Sequence, residues 1–453
     1  MSEMIQAKET AKPIAEWLKK AVIYQINMRT FTSEGTVAAA TKLLPHLKDI
    51  GVDIVYTCPL VCSDDDMNEE GWSRRQKAAG VGNPKNSYRI SDYFSTDPEY
   101  GTDEDVETFV KEAHRLGLRV MFDLVYMHCG PNAVFIKDHP DFVKRDENGN
   151  IMLTAYNFPI INFESEGLRE YLYDNMTYFV KRFDIDGYRC DVGDACPLDF
   201  WEEGTRRVLA LKPDFIMLNE GRKADFVKSC FDSNYGLDWT YAMRDVFNGK
   251  YDVNYLRERW YTDFNKLPEG ARQLRGYENH DIANDAYENR LDVRADGAAG
   301  ELANVVNFMM DGIPILYNGN EIADYRRHSF FSTRFHLGRF YVDWSVALTE
   351  RGKRRLALVK KLIELRHTEP TLYDGATGWL TTDKEDKVLA FTRELDGESY
   401  LIFGNFTDQT VACACSIPDG VLNNVLAVGA VYEKNDQINV WLNPYGYLVL
   451  KLQ

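Results

Sequence analysis

From residue 22 onward, short runs of β-branched and aromatic residues alternate with longer segments whose apolar positions recur at helical spacing. Such alternation is the pattern of repeated βα units around a parallel sheet. It predicts strands at 22–28, 53–60, 119–126, 187–191, 215–220, 273–278 and 313–318, with a weak one near 235–240. Helices are predicted at 103–116, 167–183, 198–211, 298–310 and 353–367, where one face is apolar and the other charged. Gly117, Pro213 and Gly312 fall at or near helix ends, as stops and C-caps do. Eight strands in this order imply an α/β chain folded as a closed (β/α)8 TIM barrel.

After about residue 371 the pattern changes to alternating strands with Gly and Asn/Asp turns, including 387–393, 400–405 and 447–451. The expected organisation is a barrel built from 1–128 and 166–370, with a short excursion after its third strand at 129–165. A C-terminal antiparallel β-domain, expected as a β-sandwich, covers 371–453. The connections 61–102, 129–165 and 322–350 are longer than a compact barrel requires, so they are expected to wall a cleft at the end that carries chemistry.

The length of 453 residues suits one large domain plus one accessory domain. With 53 Lys plus Arg against 70 Asp plus Glu, the formal charge is −17, which would repel a phosphate backbone. The expected partner is a neutral small molecule, with no nucleic acid and no membrane. No apolar run approaches the roughly 18 residues that span a bilayer, and Glu3, Lys8, Glu9, Lys12 and Glu16 interrupt the N-terminal stretch. The eight cysteines lack metal-type spacing and read as reduced thiols, so a cytoplasmic location is expected.

Three acids close predicted strands: Asp191, Glu220 and Asp281. A carboxylate at the end of a buried strand is costly unless the strand opens into a polar site, so the three suggest one shared cleft. Cleavage of a glycosidic bond requires a nucleophilic carboxylate, an acid to protonate the leaving oxygen, and negative charge near the developing cation. Arg189 lies two positions before Asp191, hence on the same strand face, where it would favour the ionised form. His128 and His280 are candidate neutral donors to sugar hydroxyls.

These segments together resemble the ordered signature of the α-amylase family, glycoside hydrolase family 13. That signature places an Asp-to-His segment after the third strand (Asp123 to His128) and Gly-x-Arg-x-Asp on the fourth (Gly187 to Asp191). It continues with a Glu on the fifth strand (Glu220) and Asn-His-Asp on the seventh (Asn279-His280-Asp281). The resemblance runs from about Val22 to Glu321 and implies Asp191 as nucleophile, Glu220 as general acid/base and Asp281 as the third acid. It also implies Tyr88 as a ring stacking on the cleaved sugar, His128, Arg189 and His280 as substrate contacts, and Asp123 as a structural acid orienting Arg189 or His128.

Two departures matter. The family commonly has Asn before the first-segment His, often as a calcium ligand, and Met127 stands there; the usual Lys-His after the nucleophile is replaced by Asp194-Ala195. A thioether is a poor ligand for a hard cation, so no metal and no other cofactor is expected. The implied activity is that of a retaining α-glycosidase hydrolysing α-glucosidic bonds in malto-oligosaccharides or related short α-glucans. The alternatives are a transglycosylase or isomerase using the same intermediate, or a non-catalytic carbohydrate-binding protein on the same scaffold.

Overall fold

The computed structural model describes residues 9–285, 288, 290–335 and 340–453. Eight parallel strands form the central sheet. They are β1 (Ile23–Ile26), β2 (Ile54–Thr57), β3 (Arg119–Leu124), β4 (Gly187–Cys190), β5 (Ile216–Asn219), β6 (Ser233–Asn234), β7 (Leu274–Arg275) and β8 (Ile313–Tyr317). Hydrogen bonding runs in the order β6-β5-β4-β3-β2-β1-β8-β7, and a parallel bridge between Asn234 and Gln273 joins the two ends into a barrel.

Alternation along the strands fills the barrel in layers. Ile23, Ile54, Met121, Ile216, Leu274 and Ile313 pack together inside, with Tyr56, Leu218 and Ile315. Each fully buried Ile or Leu contributes about 1.5–3 kcal/mol. Gly187 is required in this interior: a Cβ there would lie 2.7 Å from the Ile216 carbonyl oxygen and 2.9 Å from Met121. Two and four residues after this glycine come Arg189 and Asp191, so the same alternation carries the polar groups toward the C-terminal rim.

The expected helices are present as Asp103–Arg115, Glu166–Phe183, Leu198–Leu211, Ala298–Met309 and Glu350–Thr368. Thr102 and Asp105 form a capping box at the first of these, satisfying backbone donors that would otherwise lack partners. The strand expected near 235–240 is corrected: pairing covers only Ser233–Asn234, and the chain is helical over Leu237–Phe247. Trp239, Ala242, Met243 and Val246 fall at helical spacing on one buried face, and this packing overrides their local β preference.

The excursion after β3 is held by isolated bridges, Val143 with Ile161, Arg145 with Ile151 and Leu153 with Pro159, and its Phe135, Phe142 and Phe163 join the main core. The C-terminal region contains β9 (Ala376–Trp379), β10 (Val388–Leu395), β11 (Glu398–Asn405), β12 (Val411–Cys415), β13 (Leu422–Lys434) and β14 (Ile438–Leu452). Its six strands hydrogen-bond as an antiparallel sheet in which the long β14 pairs with β11, β12 and β13 in turn. Leu389, Phe391, Ile402 and Val449 face the barrel, while Val388, Leu401, Phe403 and Leu450 build a separate core on the other side.

The cysteines are free thiols, seven of them buried and Cys62 half-buried. Among the described residues, no helix is long and apolar enough to cross a membrane.

Candidate active site

Three carboxyl side chains meet on a single guanidinium. Arg189 Nη1 donates to both oxygens of Asp123, at 2.7 and 2.8 Å, and to Oδ1 of Asp191 at 2.8 Å, while Nη2 lies 2.9 Å from Oε1 of Glu220. Asp123, Arg189 and Glu220 come from the adjacent strands β3, β4 and the end of β5, and Asp191 follows β4 directly. Asp123 also accepts from the Tyr56 hydroxyl at 2.8 Å and the Tyr88 hydroxyl at 3.0 Å. Its expected structural role is therefore directed at Arg189; His128 donates elsewhere.

One positive charge faces three carboxyls, so compensation is incomplete. Burial pushes Asp191 up to about 7, and Arg189 opposes this without cancelling it. Arg189 thus favours the ionised form of Asp191, as its place on the same strand face implies, but desolvation outweighs the ion pair. Burial likewise raises Glu220 to about 7 against Arg189, with Asp191 and Asp281 adding to the rise, and raises Asp123 to about 6. At neutral pH the Asp191–Glu220 pair retains protons that ordinary carboxylates would have lost.

Val192 completes this corner. Its backbone N–H donates to Glu220 Oε2 at 2.8 Å from a left-handed conformation, φ 42° and ψ 45°. For a β-branched residue this geometry stores about 1–3 kcal/mol of strain, held in place by the surrounding packing. The residues that replace the usual Lys-His tie loops together instead. The Asp194 carboxylate accepts from Asn219 Nδ2 at 3.0 Å and from the Arg222 and Lys223 amides at 2.6 and 3.1 Å.

Asp281 lies in the first turn of the helix His280–Asp285, which the Asn279 side chain caps by accepting from the Asp281 and Ile282 amides. Burial alone would raise its carboxyl, but the neighbouring His280 and Arg75 outweigh burial and hold it below the usual carboxylate range. Arg75 Nη2 donates to Asp281 Oδ1 at 2.7 Å. Gln25 Nε2 lies 2.8 Å from His280 Nδ1; with the amide as donor, the ring proton is assigned to Nε2, which is 3.5 Å from Asp281 Oδ1. Burial lowers both His128 and His280 to about 4, so both rings are neutral.

Tyr88 lies against the His280 ring, with centroids 5.1 Å apart and planes 11° apart. One of its faces is thus already covered. His128 donates from Nε2 to the Tyr88 carbonyl at 2.8 Å, which commits that donor to the protein and leaves Nδ1, buried and without a hydrogen-bond partner among the described residues, as its remaining polar atom.

A cleft of about 550 Å³, solvent at its mouth included, contains the predicted residues Tyr88, His128, Asp191, Glu220, His280 and Asp281 in its lining. Arg189 lies beneath it, 1% exposed. Sequence reasoning missed Arg75, Tyr156, Phe158 and Phe330, which also line it. They come from the long connections 61–102, 129–165 and 322–350, as the wall expected there requires; His336, Leu337, Gly338 and Arg339 of the last lie outside the described residues. No periodicity marks these residues, although each is an aromatic or cationic side chain in a long loop at the active end of a barrel.

The surroundings of Met127 do not fit a calcium ion. Its hollow is lined by Ala195, by the cationic Lys144 and Arg169, and by the carboxylate of Glu164. Among the described residues, no group of three or more His, Cys, Asp or Glu side chains is arranged to hold a metal.

Residues 19–148 and 144–329 match the model of the α-amylase catalytic domain, and residues 380–449 match that of the maltogenic amylase C-terminal domain. Alpha-amylase 2 of Dictyoglomus thermophilum is 24% identical over 434 residues, covering 87% of this chain and 70% of the relative. An intracellular maltogenic amylase of Bacillus subtilis is 26% identical over 425 residues, covering 86% of this chain and 69% of the relative. The crystal structure of a maltogenic α-amylase, AmyB of Thermotoga neapolitana, superposes with a TM-score of 0.79 at 23% identity, covering 96% of this chain and 99% of that one, and so shares the fold. The catalytic-domain match spans most of the barrel that carries the acid cluster, and the chain belongs to the α-amylase family.

Proposed function

We propose that the protein is a retaining α-glycosidase that hydrolyses α-glucosidic bonds in malto-oligosaccharides or related short α-glucans. The observation that carries this reading is the pairing of Asp191 and Glu220 through adjacent nitrogens of Arg189 at the floor of one cleft, with both carboxyls raised toward neutrality. Asp191 attacks the anomeric carbon as Glu220 gives its proton to the departing oxygen, forming a glycosyl ester. Glu220, now ionised, takes a proton from water, whose oxygen breaks that ester and restores Asp191. Asp281, held ionised, stabilises the positive charge that develops on the sugar.

The malto-oligosaccharide assignment is supported by the maltogenic relatives and the uncharged partner expected from an acidic chain. A cytoplasmic location is supported by the intracellular relative and by the free, mostly buried thiols. The thioether, methyl and cationic groups around Met127 support a catalyst with no required metal. Asp191→Asn is expected to abolish release of sugar from maltotriose while leaving the melting temperature within a few degrees of wild type. Near-normal turnover by this variant would refute the reading. Chromatography with and without added acceptor sugar separates hydrolysis from glycosyl transfer.

A further inference from the structure

Tyr88, His280, Phe330 and Arg75 form a chain of contacts that ends on Asp281. Tyr88 stacks on His280 at 5.1 Å, and Phe330 meets both edge-on, at 6.1 Å from Tyr88 and 5.8 Å from His280. The Arg75 guanidinium lies 5.1 Å from the centre of the Phe330 ring and 2.7 Å from Asp281 Oδ1. Glu220, which serves the leaving oxygen, is fastened separately to Val192 and Arg189. These contacts line the Asp281 side of the cleft that also holds Asp191 and Glu220.

This boundary is anchored at several points. Ser73 caps the short helix Arg74–Ala78 that carries Arg75, and the Gln76 amide donates to the Asn83 and Pro84 carbonyls, each at 2.8 Å. Asn83 Nδ2 donates to the Phe331 carbonyl at 2.8 Å, tying the two loops together. Arg29, bidentate with Glu99 at 2.8 Å for both bonds, donates to the Phe330 carbonyl. Two long loops are thus cross-linked where they meet above Asp281.

We propose that Arg75 determines specificity by capping this end of the cleft, so that the enzyme removes sugar from the non-reducing end of the chain. The captured sugar is by definition the one on the non-reducing side of the bond that breaks. A chain continuing past it would have to displace the Arg75–Asp281 ion pair and the Phe330 ring. A guanidinium beside a carboxylate presents donors and acceptors together, the pattern that reads adjacent hydroxyls of a terminal pyranose. Arg75 is 34% exposed and Asp281 24% exposed at their side chains, so the pair faces the cleft. The inference rests on the glycosidase activity proposed above and specifies which bond it attacks.

The test compares aryl maltoheptaosides with the non-reducing-end hydroxyls either free or blocked by a cyclic acetal, with products resolved by chromatography. Wild type is expected to degrade the free substrate and refuse the blocked one. Arg75→Ala is expected to raise the blocked-to-free rate ratio about tenfold or more. Cleavage of the blocked substrate by wild type at a comparable rate would overturn end-directed attack. A folded Arg75→Ala that refuses the blocked chain as wild type does would overturn the role of Arg75, and Arg75→Met makes the same comparison if the alanine variant does not fold. Wild type inactive on both substrates would refute the glycosidase reading itself, a result distinct from the other two.

Discussion

Replacing Arg189 by methionine removes the cation that bridges Asp123, Asp191 and Glu220, at contacts of 2.7 to 2.9 Å. Breaking a buried ion pair from one side costs about 3–5 kcal/mol when the remaining charge cannot escape. Here it can escape by protonation. Asp191 and Glu220 already titrate near 7 with Arg189 present, because burial dominates, and losing the guanidinium raises them further. Their unfolded values are about 3.9 and 4.3. Between those values and the folded ones the native state binds more protons than the unfolded chain, so its stability falls as pH rises through that window. The variant should therefore lose most stability near pH 8, by about 3–5 kcal/mol, and recover much of it near pH 5. Thermal melts of wild type and Arg189→Met at both pH values measure the difference directly. A deficit equal at the two pH values, or larger at pH 5, would refute the electrostatic account of this cluster.

Glu220→Gln should lower kcat about 10²–10⁴-fold on malto-oligosaccharides and much less on α-glucosyl fluoride, whose leaving group needs little protonation; equal losses on both would exclude Glu220 as the acid. In wild type, activity should fall as pH rises through about 7, where Glu220 gives up its proton, and this alkaline limb should disappear from the residual Glu220→Gln activity on the fluoride. Because the residues beside Met127 offer a poor cation site, dialysis against EDTA should leave the melting temperature and turnover unchanged. A loss restored by added calcium would show a bound metal.

The sequence made the acids legible because strand alternation decides which residues share a face. Arg189 and Asp191 had to point the same way, whereas the close approach that requires glycine at 187 shows only in the fold. Helix 198–211 was equally readable, with Phe200, Trp201 and Val208 at helical spacing on its buried face. The helix Leu237–Phe247 was missed although Trp239, Ala242, Met243 and Val246 spell its period, because Tyr, Trp and Thr near 235–240 suggested a strand. Arg75 could not be read at all: it contacts Asp281 across 206 positions from a loop whose path no local pattern fixes. The raised pKa of Asp191 was also out of reach, since a neighbouring arginine is visible in sequence and the depth of burial is not.

The central claim is that Asp191 becomes covalently bonded to the sugar during turnover. A 5-fluoro-α-glucosyl fluoride slows breakdown of such an ester enough for mass spectrometry of the quenched, digested protein. The account predicts one added glycosyl group on the peptide containing Asp191, absent in Asp191→Asn. Label on a different residue, or complete turnover of the reagent with the protein mass unchanged throughout, would contradict it.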